Sequence, residues 1–167
     1  MTRRGLAGGG RLLRPGPLLI PLVTAGLAPT ALGLWLPGPD VPGPAWSRMV
    51  PGVVLALLGV WMTADAVDRV YLRQRTPLGD RPPDHLVRAG WYRVIRNPMA
   101  AGMALLLAGE SLLWSAPSVL AFAAIVLAVS YATARRVEEP SLLKAFGEEY
   151  AAYRRDVPPW IPYAAND

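Results

Sequence analysis

Four apolar stretches dominate the chain, and their lengths restrict what it can fold into. Leu18 to Leu36 and Pro117 to Ala134 carry no charge, and Pro98 to Ala116 carries only Glu110. About 20 residues of helix cross a bilayer, so each of these three is long enough to span. The remaining stretch, Val50 to Ala64, reaches that length by continuing to about Val70 through Asp65 and Asp68. The composition points the same way, since 53% hydrophobic and 17% charged residues depart from the pattern of soluble domains. The sequence therefore predicts an all-α fold, an integral membrane bundle of four transmembrane helices. Residues 1–70 supply a basic leader and two helices, and residues 71–167 supply a loop, a transmembrane hairpin and a C-terminal helix, all in one structural domain.

The first stretch follows Arg3, Arg4, Arg11 and Arg14, as a secretory signal would. It is too long for a typical signal core, and "LPGPDVPG" after it offers no clear small-x-small cleavage site, so a retained helix is expected. Sixteen of the 17 basic residues lie before the first stretch, between Arg69 and Arg96, or after the fourth; Arg48 alone falls in the link between the first two. The positive-inside rule then places both termini and the 71–96 loop in the cytoplasm. Topology thus accounts for the net charge of +5, and no nucleic-acid partner is expected. Cysteine is absent and His85 is the single histidine, which excludes disulfides, a thiolate nucleophile and a histidine metal cluster. No metal is expected. Sixteen arginines against one lysine suggest a G+C-rich bacterial genome, and hence a bacterial inner membrane.

Trp114 to Pro117 joins the last two apolar stretches so tightly that they must form an antiparallel hairpin. Pro140 suits the first turn of a new helix and disfavours helix at Glu139, so a bend is expected there. Beyond it, Leu142, Leu143, Phe146, Tyr150 and Tyr153 recur at helical spacing opposite Lys144, Glu148 and Arg154. That amphipathic helix should lie on the membrane face or cap the bundle on the cytoplasmic side.

The run "WYRVIRNPMAAG", residues 91–102, brings two arginines and an asparagine to the start of the third apolar stretch. Asn97 before Pro98 is a good helix start, with the asparagine side chain expected to accept from backbone donors two or three residues on. Trp91 and Tyr92 fit an aromatic belt, and Arg93 and Arg96 could snorkel to headgroups. The same helix start offers unpaired N–H groups to an anion, while Glu138 and Glu139 at the far end of the hairpin offer negative charge. Donors on one side and carboxylates on the other suit a zwitterion with a separate cationic centre, and S-adenosylmethionine is such a ligand.

Three other acids stand out. Glu110 falls near the bilayer middle, where an ionisable group is a functional candidate; the expected role is to pin helices together, either protonated or hydrogen-bonded to Ser130, Thr133 or Thr63. Asp65 and Asp68 share a helix face and should form ion pairs with Arg69, and with Arg135 or Arg136. His85 is expected to be a solvated loop residue.

"TPLGDRPPDHLVRAGWYRVIRNPMAAG", a transmembrane hairpin and "EEPSLLKAFGEEYAAYRRDVPPWIP" together resemble the isoprenylcysteine carboxyl methyltransferase and phospholipid N-methyltransferase superfamily of membrane enzymes. The resemblance runs from Thr76 to Pro162 and consists of four elements in order: Leu-Val-x-x-Gly-x-Tyr, Arg-Asn-Pro, Glu-Glu, and Phe-Gly-x-x-Tyr-x-x-Tyr ending in Ile-Pro. It implies a methyltransferase that uses S-adenosylmethionine on a lipophilic or amphiphilic acceptor, a lipid or small molecule bearing a carboxylate or an amine, at the cytoplasmic face. It further implies that Leu86, Val87, Gly90, Tyr92 and Asn97, with Pro98, Gly102, Glu138 and Glu139, bind the cofactor. Gly102 is expected to let the cofactor approach the backbone. An arginine such as Arg96, Arg135 or Arg136 would hold a carboxylate acceptor, and a carboxylate such as Glu139 would take the proton of an amine. The chain departs from the pattern at Ala100, where the family usually has tyrosine, and at Pro159, where arginine is common. Two other classes compete: a small proton-coupled transporter using Glu110, and a non-catalytic membrane scaffold derived from the methyltransferases.

Overall fold

A computed structural model describes residues 28–36, 38–39, 43–74 and 83–161 of the chain, and among these there is no strand. Helix α1 is Ala28–Trp35 and α2 is Trp46–Val67, extended by a π turn at Asp68–Leu72. Helix α3 is Pro98–Trp114, and α4 is Pro117–Thr133, extended by a second π turn at Ala134–Glu138. Two short helices follow, α5 at Glu139–Phe146 and α6 at Glu148–Asp156.

Among the described residues two continuous helices are long and apolar enough to cross a membrane: Trp46–Leu72, with 27 residues, and Pro117–Phe146, with 30. Only 22% and 17% of the residues in their most apolar windows are buried within the chain, so these are not the core helices of a water-soluble fold. Val53, Val54, Leu57 and Val60 on α2, and Leu120 and Ile125 on α4, turn outward, where lipid tails would cover them. Helix α3 is apolar but stops at 17 residues, roughly 25 Å at 1.5 Å per residue. Of the first apolar stretch only Ala28–Trp35 forms a described helix, and its earlier part lies outside the described residues.

A seam of glycines locks α2 against α3. A Cβ on Gly52 would meet the carbonyl of Gly109, and one on Gly109 the carbonyl of Gly52; Gly59 and Gly102 stand in the same reciprocal relation. Seven residues separate the two glycines on each helix, so one antiparallel register brings both pairs together. Backbones that approach so closely gain van der Waals contact, the main attraction between helices in lipid.

The hairpin between α3 and α4 forms as expected. Ser115 takes a left-handed conformation (φ 51°), the Ala116 amide bonds back to the Ser111 carbonyl at 3.0 Å, and the Ser111 hydroxyl donates to the Ala116 carbonyl at 2.9 Å. Leu107, Ala116, Val119 and Ala123 form the buried cluster beside this turn, with Leu32 of α1 packed against it.

Two expectations need correction. The chain does not bend at Glu139: the Glu139 amide bonds to the Ala134 carbonyl, five residues back, and this wider π turn carries the helix past Pro140. The break falls instead at Gly147 (φ 54°), so the C-terminal helix is two short helices. Glu110 bonds to none of Ser130, Thr133 or Thr63; its Oε2 is buried without a partner, as is the Thr63 hydroxyl. Leaving a carboxyl oxygen unsatisfied is costly, and an apolar side chain of similar size avoids that cost. Glu110→Leu is therefore expected to keep or raise the thermal midpoint in detergent, and a fall of several degrees would contradict an unpartnered carboxyl.

The acids at the end of α2 behave nearly as expected. Asp65 accepts from Arg69 Nε at 2.7 Å and Asp68 from Arg73 Nε at 2.6 Å. Among the described residues neither pairs with Arg135 or Arg136. Asp65 has a second use, since the Trp91 amide donates to it at 3.4 Å. The turn at Gly90 (φ 63°) packs so closely on Asp65 and Arg69 that a Cβ there would strike both. Together with the edge contact between Trp61 and Trp91, at 5.1 Å, this docks the loop on α2.

Candidate functional site

Where α2, α3 and α4 end on the side rich in arginine, they leave a cavity of about 480 Å³, roofed by the 83–97 loop, α5 and α6. Volumes of this order suit small-molecule ligands. Val70, Met99, Met103 and Val129 give the cavity apolar walls, with the small Ala100 among them. Tyr71, Tyr92, Glu138, Ser141, Tyr150 and Tyr153 give it polar walls.

Arg96 organises the roof. Its Nη1 donates to Glu139 Oε1 at 2.7 Å and its Nε to the Val157 carbonyl at 2.9 Å, with both charged side chains about nine-tenths buried (9% and 10% exposed). The backbone amide of Arg96 donates to the Pro158 carbonyl at 2.8 Å, and Asn97 donates to the Pro159 carbonyl from its amide at 3.2 Å and its side chain at 3.0 Å. Thus a three-residue strap after α6 is stitched to the segment that opens α3. Tyr153 adds a further stitch, its hydroxyl donating to the Tyr92 carbonyl at 2.8 Å. Arg154 approaches the other oxygen of Glu139 at 3.8 Å.

These bonds revise the reading of Asn97, whose side chain makes no capping bond to α3. With Pro98 at the first position and the Ala101 amide bonded to the Asn97 carbonyl, the amides of Met99 and Ala100 lack intrahelical acceptors. Both residues line the cavity, so the positive end of α3 opens onto it.

Burial raises the Tyr92 phenol far above the ordinary tyrosine range, helped by the neighbouring Tyr71, Tyr153 and Glu138. Burial likewise raises Tyr153, against the opposing influence of Arg96. Both phenols stay protonated, and their rings neutral, at any physiological pH. Of the three charged side chains lining the cavity, Arg96 and Glu139 neutralise each other. Among the described residues, no cation pairs with Glu138. Glu138 is thus the lining carboxylate without an ion-pair partner, beside an Arg96–Glu139 pair that Arg154 also approaches.

The structure brings together Leu86, Val87, Tyr92, Arg96 and Asn97, with Glu138 and Glu139, on one wall system. Gly90, Pro98 and Gly102 do not line it. Gly90 makes the loop turn, Pro98 is buried at the helix start, and Gly102 faces Thr63 and Gly59 of α2, so its missing side chain serves helix packing. His85 lies in the exposed loop, its amide bonded to Gln74 Oε1 at 2.8 Å. Tyr71, Met103, Ser130 and Tyr150 were not anticipated as lining. The helical spacing of Tyr150 and Tyr153 was legible, but which surface that stripe covers depends on the break at Gly147.

A comparison with curated proteins finds no match to this chain. A family model described as phospholipid methyltransferase matches residues 47–149, which take in α2, the loop, the hairpin, α5 and most of the cavity lining. That match covers more than half of the sequence, and the chain belongs to the phospholipid methyltransferase family.

Proposed function

We propose that this membrane protein is an S-adenosylmethionine-dependent methyltransferase acting on an amine-bearing amphiphile at the cytoplasmic face of a bacterial inner membrane. One observation carries the choice of amine over carboxylate: among the described residues the one arginine that lines the cavity, Arg96, is committed to Glu139 and Val157, whereas Glu138 has no ion-pair partner. Among the described lining residues a carboxylate acceptor would find no uncommitted cation, and an amine finds a base.

The residues present fit the cofactor. Its α-carboxylate matches the unpaired amides of Met99 and Ala100, and its net positive charge matches the excess carboxylate of the cavity. When bound, it supplies a methyl carbon already activated by the sulfonium. What remains for the protein is alignment, exclusion of water and removal of a proton. An amine forms its new N–C bond, as the S–C bond breaks, only through a free lone pair. Glu138 is placed to accept the amine proton on a carboxylate oxygen and release it to solvent. Glu139, the base suggested by sequence, is held by Arg96 and serves to fix the strap. The apolar walls at Met99, Met103 and Val129 suit an acyl or alkyl tail. The cytoplasmic assignment rests on the arginines gathered at this end, with Arg48 at the other.

The test is methyl transfer from labelled S-adenosylmethionine to tail-matched amphiphiles in vesicles, one set headed by a primary amine and one by a carboxylate. Label should enter the amine set, and Glu138→Gln should slow transfer by about 100-fold at saturating cofactor. Label in the carboxylate set would overturn the choice of acceptor, and no transfer to either would favour the scaffold or transporter alternatives.

A further inference from the structure

We propose that Tyr71, Tyr92, Tyr150 and Tyr153, with Glu138, form an aromatic cage that binds an alkylated onium group. Such a cation spreads its charge over methyl or methylene groups and has few or no N–H donors. The inference rests on the methyltransferase reading and names the chemistry that its cavity recognises.

Four of the six tyrosines in the chain line this one cavity, although they come from three separate segments: the end of α2, the loop and α6. Tyr150 and Tyr153 stand with ring centroids 6.1 Å apart and planes at 49°, so they form adjoining walls rather than a stack. The face of an aromatic ring is electronegative and attracts a cation within about 6 Å, most strongly where water is excluded. Tyr153 already receives one cation in this way, the Arg88 guanidinium 5.6 Å from its ring centre. An ordinary ammonium needs several acceptors for its N–H groups. A methylated cation needs only surfaces and a counter-charge, and neutral tyrosine rings beside the uncommitted Glu138 supply both.

Two sources share this chemistry, the sulfonium of the cofactor and the methylated ammonium of the product, and the experiment separates them. Detergent-purified protein is titrated calorimetrically with choline and with 3,3-dimethylbutan-1-ol, its uncharged isostere, each with and without S-adenosylhomocysteine. Choline is expected to bind at least about tenfold more tightly than the isostere, and Tyr71→Leu, Tyr92→Leu and Glu138→Gln should each weaken it by about tenfold. Tyr71→Phe and Tyr92→Phe keep the ring face and should stay within about twofold of wild type. Choline binding that persists beside S-adenosylhomocysteine assigns the cage to the product ammonium. Competition between the two, with S-adenosylmethionine preferred over S-adenosylhomocysteine in wild type but not in Tyr92→Leu, assigns it to the sulfonium.

Equal binding of choline and the isostere would overturn the cage, as would phenylalanine variants that lose as much as the leucine variants. The wild-type comparison and Glu138→Gln keep the test decisive if a leucine variant fails to fold. S-adenosylhomocysteine binding without a choline preference would sink the cage alone. Absence of S-adenosylhomocysteine binding would sink the methyltransferase reading and leave the choline comparison still informative.

Discussion

Arg96→Met should destabilise the protein by about 3–5 kcal/mol, the usual cost of removing one partner from a buried ion pair. The substitution leaves the buried Glu139 facing only Arg154, at 3.8 Å, and removes the donor to the Val157 carbonyl. Loss of a buried charge pair and release of the strap are separable. Hydrogen exchange should quicken at the Arg96 and Asn97 amides, which donate to the strap carbonyls, in Arg96→Met before the bundle unfolds. A double variant, Arg96→Met with Glu139→Leu, removes both charges and should recover part of the lost stability, since the penalty lies mostly in the orphaned carboxylate. Arg96→Lys should recover less, because an ammonium lacks the rigid fork that reaches Glu139 and Val157 together. A single variant as stable as wild type would mean that the pair contributes nothing to the roof.

The glycine seam gives the second large effect. A Cβ at Gly59 would collide with the Leu106 amide nitrogen and the Gly102 carbonyl, which are backbone atoms and cannot turn aside as a side chain could. Gly59→Leu is therefore expected to cost more than about 3 kcal/mol, the upper end for overpacking, and to force α2 from α3. The measurement is the yield of monodisperse protein in detergent and its unfolding midpoint. Leu57→Val, on the lipid-facing side where Leu57 is 64% exposed, should change either by little. Because Gly59 and Gly102 face each other, either leucine substitution alone should suffice. Normal folding of both would show that the helices do not meet at this register.

Much of this arrangement is legible in the sequence because lipid imposes simple rules. Long uncharged runs, a tight Trp-Ser-Ala-Pro link and the clustering of arginine give the helices, the hairpin and the basic end. The seam is half legible: glycines seven residues apart at 52/59 and 102/109 mark a close-packing face, but nothing local says that each pair is the other's partner. Pro140 misleads because a proline forbids the regular helix bond and not the wider π turn that the chain adopts. Glu139 misleads for a longer-range reason. Its role as strap anchor comes from Arg96, 43 residues away, and that pairing exists only once α3 and α4 have folded back on each other. The same pairing leaves Glu138, which looks equivalent in sequence, as the carboxylate without a cation. Asn97 follows the same logic, a good capping residue recruited to a carbonyl 62 positions on.

The cavity is the proposed cofactor site, and filling it should weaken binding. Calorimetric titration of S-adenosylmethionine into detergent-purified wild type and Ala100→Trp tests it, because Ala100 lines the cavity and makes no polar contact that the fold depends on. Saturable binding by wild type, weakened at least about tenfold when tryptophan fills the space while the unfolding midpoint is held, is the expected result. Absence of binding by folded wild type, or equal binding by Ala100→Trp, would contradict it.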